Sequence, residues 1–138
     1  MIDVSVIRDK ALVFSGYDEE IFLRESAKLA YYAVYHEGKS LAILKNISLD
    51  KQSGGVHAKL WSGLEYGKNS EIDMELVLIA KKMKKLRVKG DYHLKEEFSS
   101  NMAKRQVEQM ERCLTLITES KNEFLREKEK RSHLRLVK

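Results

Sequence analysis

The chain has 138 residues, 26 of them Lys or Arg against 21 Asp or Glu, for a net charge of +5. That length is most simply one domain, with 34% charged and 43% hydrophobic residues in the balance expected of amphipathic helices around a modest core. No apolar run approaches the ~18 residues of a membrane span, no basic start leads into an apolar stretch as in a signal peptide, and one cysteine makes no internal disulfide.

Proline is absent and only 7 glycines occur, so little interrupts a helix. In chain order, Ile2, Val4 and Val6 alternate as in a strand, whereas Ile7, Ala11, Leu12 and Phe14 suit a short first helix, which is the reading preferred here. A turn over 15–18 ends at Asp18, and the acidic Glu19 and Glu20 that follow open a second helix over 19–45. This helix is apolar on two sides, Phe22, Leu29, Tyr32, His36 and Ile43 on one and Leu23, Ala30, Val34 and Leu41 on the other, so it is expected to be central and packed on both.

A loop over 47–55 ends in Ser53-Gly54-Gly55 and precedes a short helix over 56–66 that carries Leu60, Trp61 and Leu64. A fourth helix over 71–89 presents the apolar stripe Leu76, Ile79, Met83 and Leu86, with Lys81, Lys82, Lys85 and Lys89 on the opposite side. The last helix has a seam through Ala103, Val107, Met110, Leu114, Ile117 and Phe124, and then runs into mixed charge. The expectation is all-α: an up-and-down bundle of four to five helices over 1–119, with a charged helical extension over 120–138.

The residues that bear chemistry are few. Arg87-Val88-Lys89-Gly90-Asp91-Tyr92-His93 gathers a guanidinium, a carboxylate, a phenol and an imidazole beside a basic helix face. Metal-free RNA cleavage needs a cation for the phosphorane, which arginine supplies with a two-pronged fork. It also needs a group that moves protons near neutrality, which histidine supplies. On an ideal helix Arg87 and His93 project about 120° apart on either side of the apolar stripe. They meet only across a two-fold dimer, or if Gly90 ends the helix and redirects His93.

Plainer roles stand beside these. Arg87 and Asp91 are four apart, the spacing of a surface ion pair, and His93 is then a solvated residue at a helix end. His36 reads as a hydrogen-bonded core histidine, His57 as a capping or packing residue at a helix start, Tyr31, Tyr32 and Tyr35 as core and dimer contacts, and Cys113 as a buried thiol. Scattered histidines and a lone cysteine offer no metal site, and no phosphate loop, nucleophile elbow or dinucleotide fingerprint occurs, so no cofactor is expected. The cysteine content fits a reducing, cytoplasmic location.

Three segments carry a family resemblance. Ala30-Tyr31-Tyr32-Ala33-Val34-Tyr35-His36 resembles the Ala-Tyr-Tyr-Ala-x-x-His element in the central helix of HEPN-domain proteins. Gly55-Val56-His57-Ala58-Lys59-Leu60-Trp61 resembles the entry to that family's next helix. Leu86-Arg87-Val88-Lys89-Gly90-Asp91-Tyr92 is similar to its Leu-Arg-x-x-Arg/Lys-x-Ala-Asp-Tyr region, with Gly90 where alanine is usual.

Order and spacing agree over about 20–117. The resemblance implies a helical bundle that commonly forms a homodimer and is linked to RNA. Many members are metal-independent endoribonucleases of toxin–antitoxin or defence systems; others are non-catalytic modules that partner a nucleotidyltransferase-like or antitoxin protein. Carried onto this chain, Arg87 holds phosphate, His93 transfers protons, and Asp91 and Tyr92 orient them. Lys82, Lys85 and Lys89 draw in the RNA backbone. Val88 departs from the polar residue that follows the arginine in active members.

Overall fold

A computed structural model describes residues 1–67 and 70–137, with side chains through residue 136. It consists of α1 (Val4–Ser15), α2 (Glu20–Leu44), α3 (Val56–Tyr66), α4 (Glu71–Tyr92) and α5 (Ser100–Val137), with no strand among the described residues. The all-α bundle expected from the sequence is what forms. No helix among the described residues is long and apolar enough to cross a membrane.

Local chemistry sets the helix starts. Asp3 accepts a hydrogen bond from the Ser5 N–H and settles the ambiguous first residues as helix. Ser70 accepts from Asp73 N–H at 3.1 Å, and Glu71 and Asp73 add negative charge in the first turn of α4. Ser99 does the same for Met102 N–H at 3.2 Å before α5. Helix α5 then runs unbroken for 38 residues, through the expected extension, whose last residue, 138, lies outside the described residues.

Helix α2 is the hub: α1, α3, α4 and α5 all pack on it. Its Leu23, Ala30, Val34 and Leu41 side is buried, but the expectation of a second fully packed side fails. Phe22, Leu29 and Tyr32 are half-buried, while His36 and Ile43 face solvent, because no helix covers the end of that side. His36 is therefore not a core histidine. The core joins these α2 residues to Leu60, Trp61 and Leu64 of α3, Leu76 and Met83 of α4, and Met110, Cys113 and Ile117 of α5.

Gly38 lets α3 approach. A Cβ there would sit 3.0 Å from the six-membered ring of Trp61.

Polar anchors inside the bundle lock its register. The Asp73 carboxylate, fully buried, accepts from Lys45 Nζ at the end of α2 and from Ser120 Oγ of α5 at 2.5 Å. Gln106 of α5 donates to the carbonyls of Ala27 at 3.2 Å and Met83 at 2.9 Å, bridging α2 and α4. Burying Asp73, Lys45 and the Gln106 amide nitrogen is tolerable because each has a partner, whereas Gln106 Oε1 has none.

Candidate functional site

Helix α4 continues past Gly90 to Tyr92, against the expectation that it stops near 89 or at that glycine. The reason lies in α2. Arg24 donates through Nη1 to the carbonyls of Gly90 at 3.0 Å and His93 at 3.2 Å, and through Nη2 to that of Glu96. The Gly90 and His93 carbonyls are acceptors that the helix C-terminus leaves open, and Glu96 lies in the connection to α5. The Arg24 guanidinium also lies 5.4 Å from the Phe98 ring centroid, and Glu20 accepts from both Arg24 and the Phe98 N–H. Gly90 is buried here, and a Cβ on it would come within 3.4 Å of Phe98.

One turn earlier, Arg87 points into the bundle. Its side chain is 9% exposed, against 50% for His93. Nη1 donates to Asp91 Oδ2 at 3.3 Å, and the guanidinium carbon lies 5.6 and 5.5 Å from the ring centroids of Tyr31 and Tyr32, within cation–π range. Arg87 Nε is buried and has no hydrogen-bond partner.

The aromatic wall continues from there. Trp61 Nε1 donates to the Tyr31 hydroxyl at 3.1 Å, leaving the Tyr31 proton for His57 Nδ1 at 2.8 Å. That pairing assigns the histidine proton to Nε2. The His57 ring packs 4.3 Å from that of Tyr35, and His36 leans its ring on Tyr32 and Tyr35 from the solvent side.

Electrostatics favour a neutral His57. Burial lowers its pKa from the ordinary value, and the positive charges of Arg87 and Lys84, with His36, push the same way. Burial also raises Tyr31 to about 12, against the opposing pull of the Trp61 hydrogen bond and Arg87. At neutral pH the cluster thus holds the Arg87 cation, an un-ionised phenol and an uncharged imidazole whose Nδ1 is held by Tyr31. A guanidinium beside an imidazole N–H has the chemistry to hold an oxyanion.

The residues expected to act together do so only in part. Arg87 and Asp91 are joined, but His93 is not with them: its Nδ1 lies 3.3 Å from Glu96 Oε2 in the connection to α5. Tyr92 is 70% exposed and shares no hydrogen bond or ring contact with either. Arg87 also does not flank the apolar stripe but belongs to the buried face of α4, with Leu76, Ala80 and Met83.

Lys82, Lys85 and Lys89 lie about 140–160° around the helix from it, by the 100° step of an α-helix. None of the three has an ion-pair partner among the described residues; Lys82 and Lys85 are exposed and Lys89 half-exposed. The lysine on the Arg87 side is Lys84.

Sequence reasoning took Tyr31 and His57 as packing residues and assigned Lys84 and Arg24 no role. The available signal was the sharing of a polar, aromatic-rich stretch by α2 and the start of α3, which a buried arginine would need as its surroundings. No cluster of potential metal ligands exists among the described residues. Cys113 is buried, its thiol pushed up to about 12 by desolvation, which removes it as a nucleophile.

No protein-family model, curated protein or solved structure matches the chain.

Proposed function

We propose that this protein is a HEPN-like helical bundle of the cytoplasm that binds RNA as a two-copy assembly and cleaves it without a metal. The observation that carries the reading is the Arg87 guanidinium: permanently charged, braced by Tyr31 and Tyr32, balanced by one half-buried carboxylate, and with its Nε unpartnered. A phosphate that takes the place of Asp91 meets Nη1, and a turn of the guanidinium presents it the Nε–Nη2 edge, the fork that suits two oxygens. The guanidinium then exchanges one anion for another and is never left uncompensated, which keeps the cost of opening small.

In this reading the 2′-hydroxyl gives its proton to an imidazole, and its oxygen attacks phosphorus. The bond to the 5′-oxygen breaks and that oxygen takes up a proton, leaving a 2′,3′-cyclic phosphate. Arg87 stabilises the charge on the phosphorane. Neutral His57, next to the cluster, has its Nδ1 taken by Tyr31 and offers its Nε2–H to a phosphate oxygen. His93, on the outer end of α4, enters from the second copy, takes the proton of the 2′-hydroxyl and returns it to the 5′-oxygen. Lys84 and the outward Lys82, Lys85 and Lys89 hold the strand electrostatically.

The test is incubation of purified protein with single-stranded RNA in the presence of chelator. Cleavage that Arg87→Gln and His93→Ala each abolish supports the reading; cleavage that survives both changes removes it. A second reading is a non-catalytic module for a nucleotidyltransferase-like or antitoxin partner. The closed Arg87–Asp91 pair and Val88 favour it, and it predicts no cleavage together with stoichiometric co-purification of that partner from the native host.

A further inference from the structure

On the other side of Tyr35 from the arginine cluster lies a second feature, a hollow of about 210 Å³ between α2, the 47–55 loop and α3. Leu49, Val56 and Leu60 make its apolar walls, and Tyr35, 8% exposed, adds a small aromatic patch. Lys39 and Lys59 also line it, and Lys39 Nζ lies 5.6 Å from the centroid of the Tyr35 ring. Neither lysine has a carboxylate partner among the described residues, whereas Lys45, Lys81 and Lys121 are all paired.

We infer that this hollow seats one nucleobase of a bound single strand, with the phosphate of that nucleotide held outside by Lys39 and Lys59. The inference rests on the RNA reading above and adds a second, base-contacting subsite to it.

Size is the first argument. The hollow is smaller than the roughly 300–1,000 Å³ of sites that enclose a drug-sized ligand, so it takes a single flat ring system and leaves sugar and phosphate in solvent. Chemistry is the second. Apolar walls with one aromatic face suit the π-surface common to all bases, which is how strands are held without sequence readout.

Asp50 at the rim offers an acceptor to a ring N–H or amino group. Charge is the third. Two unpaired ammonium groups against one carboxylate leave the mouth positive. The N-cap of α3, Gly55, brings no side chain to its first-turn N–H groups, which adds to the same field. Position is the fourth: the Tyr35 ring that bounds the hollow is 4.3 Å from His57, so the hollow and the arginine cluster share a wall. A strand with its phosphate at Arg87 has a neighbouring base within reach of Tyr35.

The experiment is an amide and aromatic NMR titration of the full chain with adenosine 5′-monophosphate, with ribose 5-phosphate as the base-free control, alongside binding of a ten-nucleotide RNA. Val56→Trp fills the hollow from a position that is 66% exposed and so leaves the fold intact. The nucleotide is expected to shift Leu49, Val56, Leu60 and the Tyr35 ring, and the sugar phosphate is not. Val56→Trp is expected to remove those shifts and weaken RNA binding about tenfold, the loss of one stacked base.

RNA binding that is equal in wild type and Val56→Trp, with no nucleotide-specific shifts, overturns the subsite and leaves the Arg87 reading standing. Nucleotide shifts in the hollow without any RNA binding sink the Arg87 reading instead.

Discussion

The Tyr31 hydroxyl and His57 Nδ1 are 2.8 Å apart, and this hydrogen bond fixes the first turn of α3 to the middle of α2. Trp61 shares the same hydroxyl, so one oxygen satisfies two ring nitrogens from neighbouring turns of α3. Arg87 rests on the face of that same Tyr31 ring. A single tyrosine therefore ties His57 to Arg87.

Tyr31→Phe keeps the ring and removes the oxygen. Trp61 Nε1 is then buried with no acceptor, and His57 Nδ1 loses its donor. The expected loss is about 1–3 kcal/mol, the cost of stranding a buried polar group, read from the urea midpoint at unchanged slope. The ring that supports Arg87 stays, so RNA binding changes less than stability does.

His57 gives the protein an acid-sensitive stability. Its folded pKa lies below the ordinary histidine value because of burial, Arg87, Lys84 and His36. Between the folded pKa and about 6.5, the unfolded chain binds a proton that the folded chain refuses. Stability is thus full above about pH 6.5 and falls as pH drops through that window. An NMR titration of the His57 ring should show a midpoint below about 6.5, and Arg87→Gln should move it upward.

Arg24→Ala removes the side chain that donates to the Gly90 and His93 carbonyls at the end of α4 and to that of Glu96 in the following connection. The expected destabilisation is about 2–4 kcal/mol, since charge-assisted hydrogen bonds of this kind are individually worth about 1.5–3 kcal/mol and do not add fully. Amide exchange should accelerate most over residues 90–96, with little change around Asp73 at the other end of the helix.

At that other end, Asp73→Ala leaves Lys45, 4% exposed, without its counter-charge. Breaking a buried pair by removing one partner costs about 3–5 kcal/mol. Replacing both ends, with Lys45→Met and Asp73→Leu together, should recover much of that loss. Equal melting temperatures for the single and the double variant would show that the pair does not interact.

Much of the fold is written in local pattern. The 56–66 helix, the acidic start of α4 and the buried 3–4 seam of α5 all follow from the sequence, because periodicity and capping act within a few residues. The Arg87–Asp91 pair is legible for the same reason, being one turn apart. What was not legible comes from distant partners. Gly90 looks like a helix stop until Arg24, 66 residues earlier, caps the carbonyls around it. Arg87 looks like a surface charge until Tyr31 and Tyr32 pack against it, and His36 looks buried until the second side of α2 proves only partly covered. A periodic pattern gives a residue its face, but only the packing of another helix decides whether that face is inside.

The most direct test of the central claim is the affinity of single-stranded RNA for wild type, Arg87→Gln and Arg87→Lys, each with its melting temperature. Loss of a charged fork on phosphate is worth about 1.5–3 kcal/mol, or roughly ten- to a hundredfold in affinity. The account predicts that loss for Arg87→Gln and a smaller one for Arg87→Lys, which keeps the charge without the fork, in variants that remain folded at the assay temperature. RNA affinity unchanged across all three folded proteins would contradict it.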